Sequence, residues 1–526
     1  MRRNAFLGAL LLALGACSRP APPPAASASA PARVLVVGWD GASFRAIDPL
    51  LAAGRLPNLE RLLARGTRAV LESTRVPISS AAWSTATTGK GPGRHGVYGF
   101  HEPVEETYAL TLASARSLRA APLWRLLTGR GLPSVVLGVP LSYPPEPILG
   151  TLVCGMLAPP EGTYTWPPEL AGELRARGYV PDLEPWLEQR EPSLAEALRQ
   201  LDLREELLGE LLAAPDWRLA WVVFKELDVL AHFSYGGELQ AAVAPVYARL
   251  DALLGSLVAR VGPETSVLLV SDHGFTSYAR GFNLHAWLVA RGFAARRPDA
   301  QAGPLPEGPY ARRMADEWDQ RLAELDLART QALAWTCEGN FGSVRLNRAG
   351  REPGGIVTAE DEGTVLVRIE AELFAHPAVV RVWRADELLP GPERFALPDV
   401  VFETRPDVQV FAERGLELEG RYEPPVPDHD LDGIFVAAGP AFAPGARVER
   451  LALPDLAPLV LHLLGQPVPH EMEGRVPLAL LRDPRPPARV PEAEFAAVAP
   501  PRTGPVYTPE ELEALERSLR ALGYGD

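Results

Sequence analysis

The chain alternates short runs of apolar, often β-branched residues with longer stretches in which apolar positions recur every three or four residues. "RVLVVGWDG" (Arg33–Gly41) is an unbroken apolar run ending in Asp-Gly, the pattern of a buried parallel strand entering its loop. Similar runs predict strands at Ser134–Pro140, Arg218–Asp228, Ser266–Gly274 and Gly433–Gly439. Between them, Leu56–Gly66, Gln240–Val261 and Pro454–Leu464 carry helical spacing, the first closed by a glycine stop. This alternation predicts an α/β fold with a mostly parallel sheet covered on both faces.

The regularity lapses between about 275 and 425, where "NFGSVRLNRAGREPGGIV" (Asn340–Val357) lies, and an inserted cap subdomain is expected there. From 481 to 507 the chain is Pro-rich and reads as a linker. Thr508, Pro509 and Glu511 then form a good helix start, predicting an amphipathic terminal helix over 508–526.

The first residues are Met1, Arg2 and Arg3, followed by an apolar run from Ala5 to Ala16, shorter than the about 20 residues a membrane span needs. The run ends in "LGAC", which resembles the bacterial lipobox with Cys17 as the lipidated first residue of the mature protein. Residues 1–16 are therefore expected to be a signal peptide and 17–32 a Pro/Ala/Ser tether. The protein would be exported and lipid-anchored to a bacterial membrane, on its periplasmic or cell-surface side.

Composition is that of a globular protein, 47% hydrophobic and 22% charged, with material for a large core in residues 33–480. A formal net charge of -14 argues against a nucleic-acid partner. Beyond Cys17 only Cys154 and Cys337 remain, and spacing alone leaves open whether they pair or stay as buried thiols.

The candidate chemistry sits at strand ends, where open α/β sheets place their ligand sites. Asp40 ends the first strand; Asp228 follows another and has His232 one helical turn later; Asp272 and His273 end a third; His429 directly precedes the strand at Gly433. One Asp after a strand is ordinary loop chemistry. With nine histidines in the chain, three of them beside Asp at strand ends is more than loop chemistry accounts for. Carboxylate and imidazole together suit zinc or manganese. A further stretch, "VPISSAAWSTATTGKGPGRHG" (76–96), wraps hydroxyls around Trp83 in what reads as a loop.

These motifs resemble the type I phosphodiesterase and nucleotide pyrophosphatase group of the alkaline phosphatase superfamily, over about residues 33–480. Besides the strand-end residues, "TGKGPGRHG", "GVPLSYPPEP" (Gly138–Pro147) and Leu453–Val476 are similar to the group. The resemblance implies an alkaline-phosphatase-like three-layer sandwich and metal-dependent cleavage of a small phosphodiester or related phosphoryl ester. It also implies two divalent cations, zinc or manganese, one held by Asp228, His232 and His429, the other by Asp40, Asp272, His273 and Ser79 Oγ. Aligned back from Thr88-Gly89, the nucleophile falls on Ser79, with Ser80 the alternative, and a phosphoseryl intermediate is implied. The chain departs from the pattern at Ala81, often Pro in the family, and at Ala82, where nucleotide pyrophosphatases carry an Asn that holds a phosphate oxygen.

A phosphomonoesterase or phosphonate hydrolase on the same fold, and a non-catalytic binding lipoprotein, are the competing readings. "DHDLDG" mimics the start of an EF-hand loop, but Gly439 occupies the twelfth position where Glu is required. "KGPGRHG" is expected to be a structural turn, Lys225 and Glu226 solvated loop charges, and Trp83 packing behind the nucleophile.

Overall fold

The strand starting at Arg33 lies in the middle of a nine-stranded sheet. From one edge the order is Arg450–Ala452, Thr67–Glu72, Asp432–Ala438, Thr265–Val270, Arg33–Trp39, Leu219–Phe224, Ser134–Leu137, Gly150–Val153 and Thr165–Trp166. Arg33–Trp39 pairs in parallel with both neighbours; only Asp432–Ala438 and the edge strand Thr165–Trp166 run the other way. The structure, a computed structural model, describes residues 32–182, 193–233, 239–300, 318–414, 418–499 and 504–522. The expected signal peptide, Cys17 and the tether lie outside the described residues, among which no helix is long and apolar enough to cross a membrane.

The apolar runs become strands because both faces of the sheet are covered. Val34, Leu35, Val36 and Val37 are fully buried on alternate faces, each contributing about 1.5–3 kcal/mol of burial. One group of helices gathers around Leu239–Val261, which packs on Pro57–Ala64 and Leu194–Leu211. The other gathers around Leu456–Leu463, which packs on Ser79–Thr88. Helices, sheet and helices make the three layers of an α/β fold.

The region after His273 leaves this sheet at once. Gly274–Asn283 is a long strand pairing antiparallel with Glu419–Asp430 and parallel with Val408–Phe411. Beside it, Ala332–Ala334, Phe341–Leu346, Val400–Thr404 and Val379–Arg384 form a four-stranded sheet. The two share a second apolar core that includes Phe282, Trp287, Phe293 and Phe402.

Two expectations change, while the terminal helix forms and packs onto the body. The hydroxyl-rich stretch contains a helix, Ser79–Thr88, and all ten of its residues are buried; its small Ala, Ser and Thr side chains let the backbone lie deep between layers. The stretch expected as a linker is packed where it is described: Arg489–Val490 pairs with Val468–Pro469, and Phe495 is fully buried in the main core. The terminal helix, Pro509–Leu522, docks through Leu515, Leu519 and Leu522 into an apolar cluster that also holds Ile78, Ala81 and Val229. Cys154 and Cys337 are not joined by a disulfide.

Candidate metal centre

Four connections bring the chemistry to one edge of the central sheet. Asp40 follows the central strand, and its backbone N–H donates to Phe224 O at 3.0 Å, tying it to the neighbouring strand end. Asp272 and His273 follow Thr265–Val270. Asp228 and His232 sit one turn apart on the helix Glu226–His232, which starts directly after Leu219–Phe224. Positions i and i+4 share a helix face, so the carboxylate and imidazole project together. The turn after the first strand passes close by: Gly41 has φ +71°, and a Cβ there would stand 3.1 Å from Asp228 Oδ1.

His429 reaches the same edge by another route. It was expected to precede a strand; it also lies within one, Glu419–Asp430, opposite Phe275. Because the following strand, Asp432–Ala438, runs antiparallel, its N-terminal end meets the C-terminal ends of its parallel neighbours. His429 Nδ1 lies 2.7 Å from Pro77 O, the carbonyl two residues before Ser79. That contact leaves Nε2 facing the cluster, 3.1 Å from Asp228 Oδ1 and 3.0 Å from His232 Nε2.

Ser79 opens its helix with Oγ 3.1 Å from His273 Nε2 and 3.5 Å from Asp40 Oδ1. His273 Nε2 is also 3.3 Å from Asp272 Oδ2 and 3.4 Å from Asp40 Oδ1. The seven residues singled out in sequence thus lie together, none more than 3% exposed. Ser80 is equally buried, but its Oγ has no hydrogen-bond partner.

The electrostatics of the cluster suit a cation. Burial and the neighbouring Asp228 carboxylate push Asp40 up to about 7. Burial, with Asp40 and Asp228 beside it, pushes Asp272 well above the usual carboxylate range. Burial alone would raise Asp228 too, but the imidazoles of His232 and His429 hold it down to about 2. Burial, with His429 stacked at 3.7 Å between ring centroids, holds His273 well below the usual histidine range. Neither Asp272 oxygen has a hydrogen-bond donor, although both are buried. Uncompensated buried carboxylates are costly unless a cation neutralises them. Asp40, Asp272 and His273 offer ligand atoms within 4.8 Å of one another, as do Asp228, His273 and His429, so a divalent cation fits this donor set.

Sequence reasoning missed Asp428, which forms a third such group with His232 and His429. Its Oδ1 accepts the His429 N–H at 2.8 Å and its Oδ2 accepts from Gln409. Its only sequence signal was "DHD", absorbed into the rejected EF-hand pattern. Trp83 does more than pack: Nε1 donates to Asp40 Oδ2 at 2.8 Å. Lys225 and Glu226 are not solvated, because each is buried against an opposite charge, Asp182 and Arg204. In "KGPGRHG", Lys90 pairs with Glu492 and Arg94 with Glu473, while His95 is buried against Thr85 Oγ1 at 2.9 Å.

Three carboxylates and three imidazoles thus gather around a buried serine at one edge of an alkaline-phosphatase-like sheet, a candidate metal centre. The sequence pattern of the type I phosphodiesterase / nucleotide pyrophosphatase family matches residues 34–432, and the chain belongs to that metal-dependent family, whose members hydrolyse phosphoryl esters. No curated protein matches the chain. Solved structures share its fold at low identity. Murine ectonucleotide pyrophosphatase / phosphodiesterase 5 is 15% identical with a TM-score of 0.52, over 82% of this chain and 95% of that one. Its inactive variant in complex with AMP aligns equally well, at 15% and 0.52, over 83% and 95%. Phosphonoacetate hydrolase from Sinorhizobium meliloti 1021, in complex with phosphonoformate, is 16% identical with a TM-score of 0.57, over 83% and 96%.

Proposed function

We propose that the chain is a two-metal phosphodiesterase that works through a phosphoseryl intermediate on Ser79. The observation carrying this reading is Ser79 Oγ beside His273 Nε2 and Asp40 Oδ1 inside a buried cluster of acids and imidazoles. Asp228, His232 and His429 would hold one ion, and Asp40, Asp272, His273 and Ser79 the other. Bound there, two divalent ions, zinc or manganese, would neutralise the phosphoryl anion and lower the pKa of the serine hydroxyl.

The chain's own residues account for the rest. Ser79 is the first helical residue, so the first-turn N–H groups of Ser79, Ser80 and Ala81 lack intrahelical acceptors and would be available to a phosphoryl anion bound at Ser79. Trp83 fixes the Asp40 carboxylate through its indole N–H. His429 is held in one orientation by Pro77 O, which also ties it to the segment leading into Ser79. Ser79 Oγ forms a bond to phosphorus while the ester P–O bond breaks, and the leaving alcohol takes a proton. Water then cleaves the phosphoserine, releasing the monoester and restoring the Oγ proton.

A phosphonate or monoester substrate is the second reading, favoured by Ala82, which is fully buried and offers no amide to a phosphate oxygen, and by the structural likeness to phosphonoacetate hydrolase. Rates on bis-p-nitrophenyl phosphate, p-nitrophenyl phosphate and phosphonoacetate, with zinc or manganese, separate the two. The primary reading expects the diester to be cleaved fastest, and a preference for phosphonoacetate overturns it. Lipid anchoring through Cys17 is proposed alongside, and the intact mass of the mature protein tests it.

A further inference from the structure

The helix Glu226–His232 carries two of the proposed metal ligands on only seven residues. Isolated helices shorter than about 12 residues are marginal in water, so such a helix takes its orientation from its surroundings. Its capping residue, Lys225, makes no side-chain capping bond. Its start is held instead by a buried row of four alternating charges. Lys225 Nζ donates to the Asp182 carboxylate, and Arg204 Nε donates to Glu226 Oε1 at 2.7 Å. No side chain of the four is more than 5% exposed.

Both pairs meet the stretch at residues 179–182 and are braced from beyond it. Asp182 Oδ2 accepts the Leu157 N–H at 2.5 Å, which fixes it to the segment following Gly150–Val153. Arg204 belongs to the helix Leu194–Leu211, and its guanidinium lies 4.9 Å from the Tyr179 ring centroid. The Arg204 guanidinium also donates to Val180 O at 3.5 Å, so the two consecutive residues at the helix start are tied, through Asp182 and Arg204, to one stretch of chain that is itself held by Leu157 and by the helix Leu194–Leu211. Glu226 Oε2 is left without a hydrogen-bond partner although Glu226 is fully buried. Buried ion pairs add little net stability and are better suited to selecting one arrangement over others.

We propose that the Asp182–Lys225 and Glu226–Arg204 pairs are positioning residues that set the orientation of this helix and so aim Asp228 and His232 at the metal. The inference rests on the two-metal reading above. Its test is zinc affinity by chelator competition, and the visible spectrum of the cobalt-substituted protein, for the full chain and Glu226→Gln, beside urea unfolding of each metal-free protein. Glu226→Gln is expected to fold, to bind one of two zinc ions ten- to hundredfold more weakly, and to show a changed cobalt spectrum. Asp182→Asn/Lys225→Met removes the other pair without stranding a charge and is expected to do the same. Reduced unfolding stability with zinc affinity within twofold of the parent overturns the proposal, as does failure of both variants to fold. A parent that binds no zinc overturns the two-metal reading itself, a result distinct from either.

Discussion

Trp83→Phe isolates one hydrogen bond at the proposed centre. The indole N–H donates to Asp40 Oδ2 at 2.8 Å, with both residues buried. A hydrogen bond to a charged group contributes about 1.5–3 kcal/mol, and each 1.4 kcal/mol is about tenfold in a binding constant. Losing it frees the carboxylate to rotate and removes a donor that favours its ionised, metal-binding form. Zinc affinity is therefore expected to fall about ten- to hundredfold, with a parallel loss of diester hydrolysis at limiting metal. The smaller ring also leaves a cavity costing about 1–3 kcal/mol of stability, so a control must share that cost. Trp221→Phe supplies it: Trp221 is fully buried on the adjacent strand, and its Nε1 has no hydrogen-bond partner. The assay is chelator competition on both variants beside urea unfolding. Equal zinc affinity in Trp83→Phe and Trp221→Phe would refute the reasoning, because it would make Trp83 packing alone.

Gly38→Ala should cost about 1–3 kcal/mol by overpacking, since its Cβ would stand 2.5 Å from Trp83 Cη2; Phe lacks that atom, so the Gly38→Ala/Trp83→Phe double variant should lose less than the sum in urea unfolding. Burial holds His95 down to about 3 from 6.5, so the unfolded chain binds a proton there that the folded one refuses. That part of stability is whole above pH 6.5 and falls by about 1.4 kcal/mol per pH unit below it; between pH 6 and 5 metal-free wild type should therefore lose stability more steeply than His95→Gln, and parallel curves would exclude the effect. Leu519→Ala, in the terminal helix and 1% exposed, should cost about 2–5 kcal/mol, whereas a loosely attached tail would give a change under about 0.5 kcal/mol.

The parts of the fold legible in sequence were those written in local patterns. Unbroken apolar runs such as Val34–Val37 announce strands buried on both faces, and Asp40, Asp272 and His273 sit where those runs stop. Asp228 and His232 were legible because a helix turn converts a four-residue spacing into adjacency. What sequence did not show depends on partners far along the chain. Lys225 reads as a solvated charge until Asp182, 43 residues away, is brought beside it. Gly274–Asn283 pairs with a strand beginning at Glu419, and no local pattern encodes that register. The Ser79–Thr88 helix was read as a loop because small hydroxyl residues favour turns when solvated; here burial on every side outweighs that preference. Phe495 was lost in a Pro-rich stretch whose composition suggests a free linker, although its side chain, like that of Leu481, fills a place in the core.

The central claim is that Ser79 attacks phosphorus. The most direct measurement is acid quench of zinc-loaded enzyme during turnover of bis-p-nitrophenyl phosphate, followed by peptide mass spectrometry. The account predicts a phosphoryl group on Ser79 and loss of both the adduct and at least about a thousandfold of the rate in Ser79→Ala, with Ser80→Ala active. A phosphoryl group on Ser80, or undiminished turnover by Ser79→Ala, would contradict it.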